Sequence, residues 1–241
     1  MDYEKILIII PAYNEADNLD SVVSNLIRSF PQYDYVIIND SSTDDTEIIC
    51  QYNGYNYISI PINLGIGGTV QCGFQYALQN GYKYAVQLDG DGQHDPTYIE
   101  NLLVPLISGE ADMVVGSRFI NKEGFQTSFM RRFGISIIRI AIKLCSGVNI
   151  TDTTSGFRAV NKKLIKLFAK EYAQDYPEPE AIVTAVLNGY KVMECPVVMH
   201  ERQGGISSIS TVRSIYYMIK VPLALFIKRL SMTRKKVVKV E

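Results

Sequence analysis

Two aspartates separated by a glycine occupy the segment Asp89-Gly90-Asp91-Gly92. Carboxylate oxygens suit Mg²⁺ or Mn²⁺, and proteins commonly hold such ions with one or two carboxylates together with substrate phosphates. If the segment is extended, alternate side chains point the same way, so Asp89 and Asp91 could face one ion. That ion would neutralise the charge that builds on a departing diphosphate. We therefore expect a Mg²⁺ or Mn²⁺ site with Asp89 and Asp91 as ligands and Asp91 as a catalytic residue.

A solvent-exposed Asp-Gly turn is the alternative interpretation of this segment. The metal site is favoured because the segment follows a short apolar run at 84–88, which predicts a buried strand. An EF-hand is disfavoured, since the later ligands are missing and Pro96 would fall inside the loop. With only His94 and His200 in the chain, a histidine-based zinc site is also disfavoured. His94 could contact the metal or the donor, or serve as a structural hydrogen-bonding residue.

The elements that position these aspartates form a repeating pattern. Apolar runs predict strands, and segments of helical spacing separate them; the runs lie at 5–11, 35–38, 55–60, 84–88 and 113–116. Strands joined by single helices imply an α/β fold with a doubly wound, mostly parallel sheet. Ligands bind such sheets beyond the carboxyl ends of the strands. Polar residues follow four of the runs and should converge on one rim: Asn14-Glu15, Asn39-Asp40, Asn63 and Asp89-Asp91.

The second half of the chain is less regular. It predicts helices at 127–145, 162–170, 180–188 and from 212 onward, a turn at 155–158, and extended chain at 191–202 broken at Pro196. We find no repeat or low-complexity linker and therefore expect one compact unit. Its expected parts are an α/β half at 1–118 that carries the polar rim, the remaining region of the same domain at 119–210, and an amphipathic helix with a basic tail at 211–241.

The composition limits the classes of protein to which the chain could belong. The 241 residues carry a formal net charge of −1, which offers no general attraction for nucleic acid. Four cysteines without CxxC spacing indicate reduced thiols. No apolar stretch approaches the roughly 20 residues of a membrane span, and the start of the chain does not resemble a signal peptide. We expect a cytoplasmic protein, soluble or bound peripherally at the inner face of the cell membrane.

A glycine-rich segment, Gly65-Ile66-Gly67-Gly68, precedes a predicted helix. Its backbone amides could bind phosphate at the helix N-terminus. It lacks the full GxGxxG pattern and the P-loop lysine, so this signal is weak alone.

Four segments taken together resemble the family 2 glycosyltransferases with the GT-A fold: Pro11-Ala12-Tyr13-Asn14-Glu15, Asn39-Asp40-Ser41-Ser42-Thr43-Asp44, Asn63-Leu64-Gly65 and Asp89-Gly90-Asp91. The resemblance covers about residues 4 to 205. It implies an inverting transfer from a nucleotide-diphosphate sugar, with UDP or GDP as the nucleotide. It also implies a donor site made of Pro11, Ala12, Tyr13, Glu15, Asp40, Gly65, Gly68, Asp89 and Gln93. Position 41, often glycine in this family, is Ser41 here.

The second half is most similar to the dolichyl- or polyprenyl-phosphate sugar synthases. The similar segments are Gly116-Ser117-Arg118, Asp152 with Ser155-Gly156-Phe157-Arg158, and Glu201-Arg202 with the glycines and serines that follow. The resemblance implies a lipid-phosphate acceptor bound by Arg118 and Arg202 and, more loosely, by Arg131, Arg132, Ser155 and Arg158. The planar guanidinium pairs well with phosphate oxygens, although a surface ion pair is the alternative for any one arginine.

Three other functions receive less support. Processive polysaccharide synthases of this family carry QxxRW, and this chain has no tryptophan. A nucleotide-sugar pyrophosphorylase would carry a basic, glycine-rich loop directly after the first strand, which the segment at 11–15 is not. A non-catalytic nucleotide-sugar-binding module stays an alternative, but the presence of both aspartates favours an enzyme.

The kind of acceptor depends on whether the site holds a base. A phosphate acceptor is already ionised near neutral pH, whereas a hydroxyl needs a carboxylate to take its proton. Glu178 and Glu180, in a Pro-Glu-Pro-Glu segment, lie where many family members carry this base. Acidic residues also favour helix N-termini for purely structural reasons. Transfer to a hydroxyl of a lipid-linked or cell-surface glycan therefore stays open.

Two predicted helices bear on the surroundings of the acceptor. The helix at 127–145 has a basic stripe of Arg132, Arg139 and Lys143 beside apolar rows, a pattern that suits a membrane surface. The helix from 212 has apolar residues at alternating three- and four-residue steps, and a basic tail follows it. A core-packing helix or a homodimer interface would use the same pattern.

Overall fold

The computed structural model describes residues 5–124, 129–200 and 211–238, with side chains described for 5–124, 132–200 and 216–232. The strands are β1 (Ile6–Ala12), β2 (Asp34–Asn39), β3 (Tyr57–Ser59), β4 (Tyr84–Gln87), β5 (Met113–Ser117), β6 (Arg158–Asn161) and β7 (Val192–Pro196). The helices are α1 (Leu19–Ser29), α2 (Thr46–Tyr52), α3 (Gly65–Gln79), α4 (Ile99–Ile107), α5 (Phe129–Ser146), α6 (Lys162–Phe168), α7 (Pro177–Leu187) and α8 (Thr211–Val238).

All seven strands form one sheet in the order β3-β2-β1-β4-β6-β5-β7. The first four strands are mutually parallel, β6 runs antiparallel to both of its neighbours, and β7 is parallel to β5. The predicted α/β class with a mostly parallel sheet is confirmed. The isoleucine-rich β1 is buried along its whole length, as expected for a strand covered on both faces.

Helices cover both faces of the sheet. One core contains α3, α5, α6, α7 and α8, with Phe74, Phe168 and Ile182 among its buried side chains. The other contains α1 and α4, with Leu26 and Leu103 buried against the opposite face. Among the described helices, none is both long enough and apolar enough to cross a bilayer.

The second half of the chain completes the sheet in a way that the sequence pattern did not predict. The turn predicted at 155–158 is one residue too long at its C-terminal end, because Arg158 is the first residue of β6. This strand has four residues and only two apolar side chains, too few to produce a recognisable alternation. Its first residue, Arg158, pairs with Gln87 at the end of β4. The residues that precede β6 therefore lie at the rim where β4 ends.

Hydrogen bonds between side chains and backbone join the loops that follow β1 and β2. The Asn14 Oδ1 atom accepts from the Thr43 backbone N–H at 2.8 Å, and the Asp44 Oδ2 atom accepts from the Ala16 N–H at 3.1 Å. Ser41 adopts a left-handed backbone conformation, with φ of 58°. Glycine reaches this conformation without steric cost, which accounts for its frequency at this position in the resembled family. A serine there strains the turn.

We expect the substitution Ser41→Gly to raise the free energy of unfolding by about 0.5–1 kcal/mol, because it removes a side chain from a positive-φ position. Urea denaturation measures this difference. Ser42→Gly is the matched control, since the Ser42 hydroxyl accepts from the Asn14 N–H at 3.0 Å and positive φ is absent there. The control should lower stability. A Ser41→Gly protein less stable than the parent would contradict the strain argument.

Candidate active site

A cleft of about 660 Å³ opens at the carboxyl ends of β1, β2 and β4. We call it the donor cleft. Eight residues of the expected donor and metal site line it: Pro11, Ala12, Tyr13, Glu15, Asp40, Gly65, Asp89 and Asp91. Residues from four separate segments thus meet at one rim, as the parallel topology predicts. Asn14 and Asn63, which the strand-end pattern also predicted at this rim, line the cleft together with Ile66, Thr69 and Gly90.

Two predicted donor residues do not line the cleft. Gly68 packs α3 against a neighbouring segment, because a Cβ atom there would lie 2.5 Å from the Leu64 Cβ and 3.0 Å from the Gln174 Oε1. Gln93 donates its backbone N–H to the Asp91 Oδ1 atom at 3.0 Å and so stabilises the turn that contains Asp91. Their direct contact with the nucleotide stays a prediction.

Asp40 links three segments of the donor cleft. Its backbone N–H donates to the Ala12 carbonyl at 2.9 Å, and its Oδ1 atom accepts from the Leu64 N–H at 2.7 Å. The Asn63 side chain donates to the Asp40 carbonyl at 3.1 Å. The carboxylate is buried, so these bonds offset part of the cost of removing its charge from water. Asp40 thereby fixes the N-terminus of α3 beside β1.

Asp89 lies just beyond β4, and the side chains of Gln87 and His94 hold it. Its Oδ1 atom accepts from the Gln87 side chain at 2.9 Å, and its backbone N–H donates to the His94 Nδ1 atom at 3.1 Å. The buried His94 ring stacks on Phe157 with centroids 4.9 Å apart. The His94 ring thus makes the structural hydrogen bond considered for it, and its Nε2 atom lies 3.6 Å from the Asp89 Oδ2 atom, so a contact with the metal or the donor stays a prediction.

The aspartate segment is a turn and not extended chain. Gly90 and Asp91 form this turn, and Gly92 has a φ of 75°. Both carboxylates nevertheless line the donor cleft. The expectation that alternation along a strand would align them is wrong, because the tight glycine-containing turn brings them to the same cleft instead.

Gly156 lies against the Asp89 carboxylate. A Cβ atom at position 156 would lie 2.7 Å from the Asp89 Oδ2 atom and 2.9 Å from the Gln87 Nε2 atom. Any larger residue would displace the carboxylate. Residue spacing predicts no role for Gly156, since its contact with Asp89 depends on the antiparallel pairing of β6 with β4.

The donor cleft suits a divalent ion that also binds phosphate. In the described part of the chain, no group of three His, Cys, Asp or Glu side chains could hold a metal alone. Asp89 and Asp91 supply two carboxylates, and Mg²⁺ or Mn²⁺ commonly completes such a site with substrate phosphate oxygens and water. The residues present therefore fit an ion that arrives with, or is completed by, a diphosphate.

The two candidate bases, Glu178 and Glu180, have different neighbours. Glu178 is half-buried; burial raises the pKa of its carboxyl group, the positive charge of Arg158 lowers it, and the negative charge of Asp89 raises it. Glu180 instead lies against α8, with its Oε2 atom 3.6 Å from the Lys228 Nζ. Of the two carboxylates, Glu178 is the one whose pKa the charge of Asp89 affects.

Arg118 and Arg158 are both buried and already hydrogen-bonded. Arg118 forms a bidentate pair with Asp152, at 2.7 Å from Nε and 2.8 Å from Nη2. Arg158 is 1% exposed and donates to the backbone carbonyls of Ser155 and Glu178. Burial of this degree argues against direct contact between Arg158 and an acceptor. Arg158 instead joins the loop before β6 to the start of α7.

A second cavity, of about 180 Å³, lies beside α5. Three cationic side chains line it, from Lys122, Arg132 and Arg139, together with the hydroxyls of Ser136 and Thr151. No carboxylate is among its lining in the described part of the chain. We call it the basic pocket. The Arg131 side chain and Arg202 lie outside the described residues, so their acceptor roles stay predictions.

Comparison with known proteins adds relatives of defined activity. A polyprenol monophosphomannose synthase from Mycolicibacterium smegmatis is 28% identical over 217 residues, which is 86% of this chain and 82% of the relative. A UDP-N-acetylglucosamine–dolichyl-phosphate N-acetylglucosaminyltransferase from Methanococcus voltae is 33% identical over 216 residues, which is 80% of this chain and 84% of the relative.

Solved structures share the fold. Glucosyl-3-phosphoglycerate synthase from Mycobacterium tuberculosis, in complex with Mn²⁺, UDP-glucose and phosphoglyceric acid, superimposes with a TM-score of 0.70 at 18% identity. The match covers 91% of this chain and 80% of that one. Residues 7–168 match the model of the glycosyl transferase family 2, which is well over half of the chain. The chain therefore belongs to glycosyl transferase family 2, as its strand-end motifs indicated.

Proposed function

We propose that this protein transfers a sugar from a UDP- or GDP-linked donor to the phosphate of a polyprenyl lipid, with inversion at the anomeric carbon. The main observation behind the proposal is that the same fold contains two cavities, the donor cleft and the basic pocket. The donor cleft presents Asp89 and Asp91, and the basic pocket presents three cations. The lipid-phosphate substrates named for the two relatives support the same acceptor class.

In the donor cleft, Asp89 and Asp91 would hold Mg²⁺ or Mn²⁺. When bound, the ion neutralises charge on the departing diphosphate. Gln87 and Gly156 keep the Asp89 carboxylate in place, and the Gln93 N–H does the same for Asp91. Such prior positioning lowers the reorganisation needed during reaction. Asp40 and Tyr13 line the part of the cleft that remains for the nucleotide.

At the acceptor side, the basic pocket would bind the lipid phosphate. Arg132 and Arg139 offer planar guanidinium groups, which pair with two phosphate oxygens at once, and Lys122 adds a third charge. A phosphate oxygen is anionic near neutral pH, so it can attack the anomeric carbon without a base. Attack opposite the departing diphosphate inverts the anomeric centre.

Transfer to a hydroxyl of a lipid-linked or cell-surface glycan is the second candidate. Glu178 favours it, because a carboxyl group with a raised pKa close to Asp89 could accept the proton of a hydroxyl. We assign this role to Glu178 and not to Glu180, because the Glu180 Oε2 atom lies 3.6 Å from the Lys228 Nζ.

The site would operate at the inner face of the cell membrane, with the protein bound peripherally. Helices α5 and α8 carry four and seven Lys or Arg residues and no Asp or Glu, although the whole chain has a net charge of −1. Apolar side chains on the same helices are exposed: Phe133, Ile140, Leu144, Ile219, Leu223, Phe226, Ile227 and Leu230. We call this the α5–α8 face. Its charge favours anionic lipid over a homodimer, in which two cationic faces would repel.

Asp91→Asn should reduce transfer by about 10²- to 10³-fold, because it removes one carboxylate from the metal site. The assay offers a panel of UDP- and GDP-sugars with Mn²⁺ and polyprenyl phosphate, and product is measured by chromatography. Asp45→Asn is the control, since Asp45 is exposed and makes no capping bond through its side chain. Full activity of Asp91→Asn would remove the metal role from this residue.

Glu178→Gln separates the two acceptor classes. With a phosphate acceptor the variant should keep activity within about threefold, whereas a hydroxyl acceptor predicts a loss of about 10²-fold or more. For the hydroxyl route, kcat/KM of the parent should also fall as pH drops through the raised pKa of Glu178, since the base must be ionised. Glu180→Gln is the matched control. A large loss with polyprenyl phosphate as acceptor would count against the phosphate mechanism.

Leu223→Gln and Ile227→Gln should each weaken binding to phosphatidylglycerol vesicles by about tenfold, because both side chains are exposed and would enter the lipid interface. Sedimentation with vesicles measures the affinity, and added salt should weaken it further. Ile48→Gln is the control, since Ile48 is exposed on α2. Equal binding by all three variants would exclude the α5–α8 face as the membrane contact.

A further inference from the structure

A third cavity, of about 330 Å³, lies between α1 and the segment that follows the aspartate turn. Its volume is within the range of small-molecule sites. Small polar side chains on one face of α1 and its N-cap form one wall: Asn18, Ser21, Asn25 and Ser29. The facing wall contains His94, Asp95, Thr97 and His200. We call this cavity the polar groove; within the described part of the chain it shares no lining residue with the donor cleft or the basic pocket.

The charges around the polar groove limit what it could bind. No Lys or Arg side chain is among its described lining, so an anion would meet no cation there. Asp95 is the one carboxylate of that lining, and it is engaged: its Oδ1 atom accepts from the Thr97 N–H at 2.9 Å, and its Oδ2 atom lies 3.6 Å from the His200 Nε2. Among the described side chains, no group of three His, Cys, Asp or Glu could hold a metal.

Apolar surface in the polar groove is small. Val22 and Pro96 are the apolar side chains of its described lining, and amides and hydroxyls make up most of the rest. Binding sites for apolar ligands are lined predominantly by hydrophobic and aromatic side chains. A neutral ligand with several hydroxyl groups therefore fits the groove best.

One nearly buried side chain in the groove, that of Asn18, has an oxygen without a partner. An asparagine at the N-cap of a helix usually accepts a hydrogen bond from a helix N–H, but Asn18 makes no such bond. Its Nδ2 atom donates to the Glu15 Oε2 at 2.9 Å, which fixes the amide in another orientation. Asn18 is 5% exposed, and its Oδ1 atom has no hydrogen-bond partner among the described residues. Because buried polar atoms are rarely left unpaired, this oxygen suits a ligand that donates to it.

We propose that the polar groove binds a neutral sugar, either a free monosaccharide or the end of a glycan. Each sugar hydroxyl can both donate and accept a hydrogen bond, and the amides and hydroxyls on α1 can do the same. A sugar hydroxyl that donates to the Asn18 Oδ1 atom would supply its partner. The inference goes beyond the proposed function and does not depend on it, since Asp91 lines the donor cleft whereas Gly92 lines the groove.

Titration of the full chain with mannose, glucose and N-acetylglucosamine, followed by saturation-transfer NMR, tests this proposal. At least one of the three should bind with a Kd on the order of 1 mM, because a monosaccharide finds few apolar contacts in the groove. Their methyl glycosides identify the source of the sugar. Glycosides that bind as well as the free sugar would indicate the end of a glycan, and binding of the free sugar alone would indicate a monosaccharide.

Ser21→Trp should weaken this binding at least tenfold, because the indole ring would fill the groove. Ser21 is exposed, so the variant should fold, and its Tm checks this; Ser29→Trp, also at an exposed position, is the second blocking variant. Ser24→Trp is the matched control. Ser24 is exposed on the same helix outside the groove, with its hydroxyl 3.4 Å from that of Tyr55, and this variant should bind the sugar as the parent does.

Asp91→Asn separates this site from the donor cleft, because sugar binding should persist when the metal site is damaged. The proposal is wrong if the parent binds none of the sugars at about 20 mM, or if both blocking variants bind as the parent does. Loss of sugar binding in Asp91→Asn would place the sugar in the donor cleft instead. Inorganic phosphate whose binding disappears in Ser21→Trp would contradict the assignment to a neutral ligand.

Discussion

The position of the Asp89 carboxylate depends on one strand that runs against the direction of its neighbours. Because β6 is antiparallel to β4, the residues that precede it return to the rim where β4 ends. Gly156 then lies where a Cβ atom would be 2.7 Å from the Asp89 Oδ2 atom. A fully parallel sheet would send that loop to the opposite edge. The loop that precedes β6 can therefore contact both Asp89, through Gly156, and Arg118, through Asp152.

Buried arginines make this arrangement rigid. Moving a charge out of water costs several kcal/mol, at the order of magnitude seen in proteins, unless partners satisfy it fully. Arg158 meets this requirement with backbone carbonyls from two segments, and Arg118 does so with the two oxygens of Asp152. Because removing any one partner would leave a charge unpaired, the surrounding loops have few alternative conformations. We interpret these charges as the groups that fix the site, whereas Lys122, Arg132 and Arg139 line the basic pocket, where Arg139 donates from Nε to the Asn149 Oδ1 atom at 2.9 Å.

Much of the donor half could be predicted from the sequence because it depends on local pattern. The buried runs at β1, β2 and β4 have a clear signature, and parallel topology alone brings Asp40, Asp89 and Asp91 to one rim. The second half of the chain depends on contacts between distant segments. The antiparallel β6 has no signature in residue spacing, and the contact between Glu180 and Lys228 depends on the packing of α7 against α8. The role of Gly156 and the basic pocket follow from that packing, so periodicity could not identify them.

The register between β4 and β6 also restricts how the chain length can vary among relatives. Side chains alternate across a strand, so a shift of one residue would move every side chain of β6 to the other face. An insertion or deletion between Asp152 and Arg158 that shifted this register would turn Arg158 away from α7 and detach Gly156 from Asp89. The exposed segment around Gly147 lies before that stretch and has a φ of 81°. Length changes should accumulate there, while the distance from Asp152 to β6 stays constant.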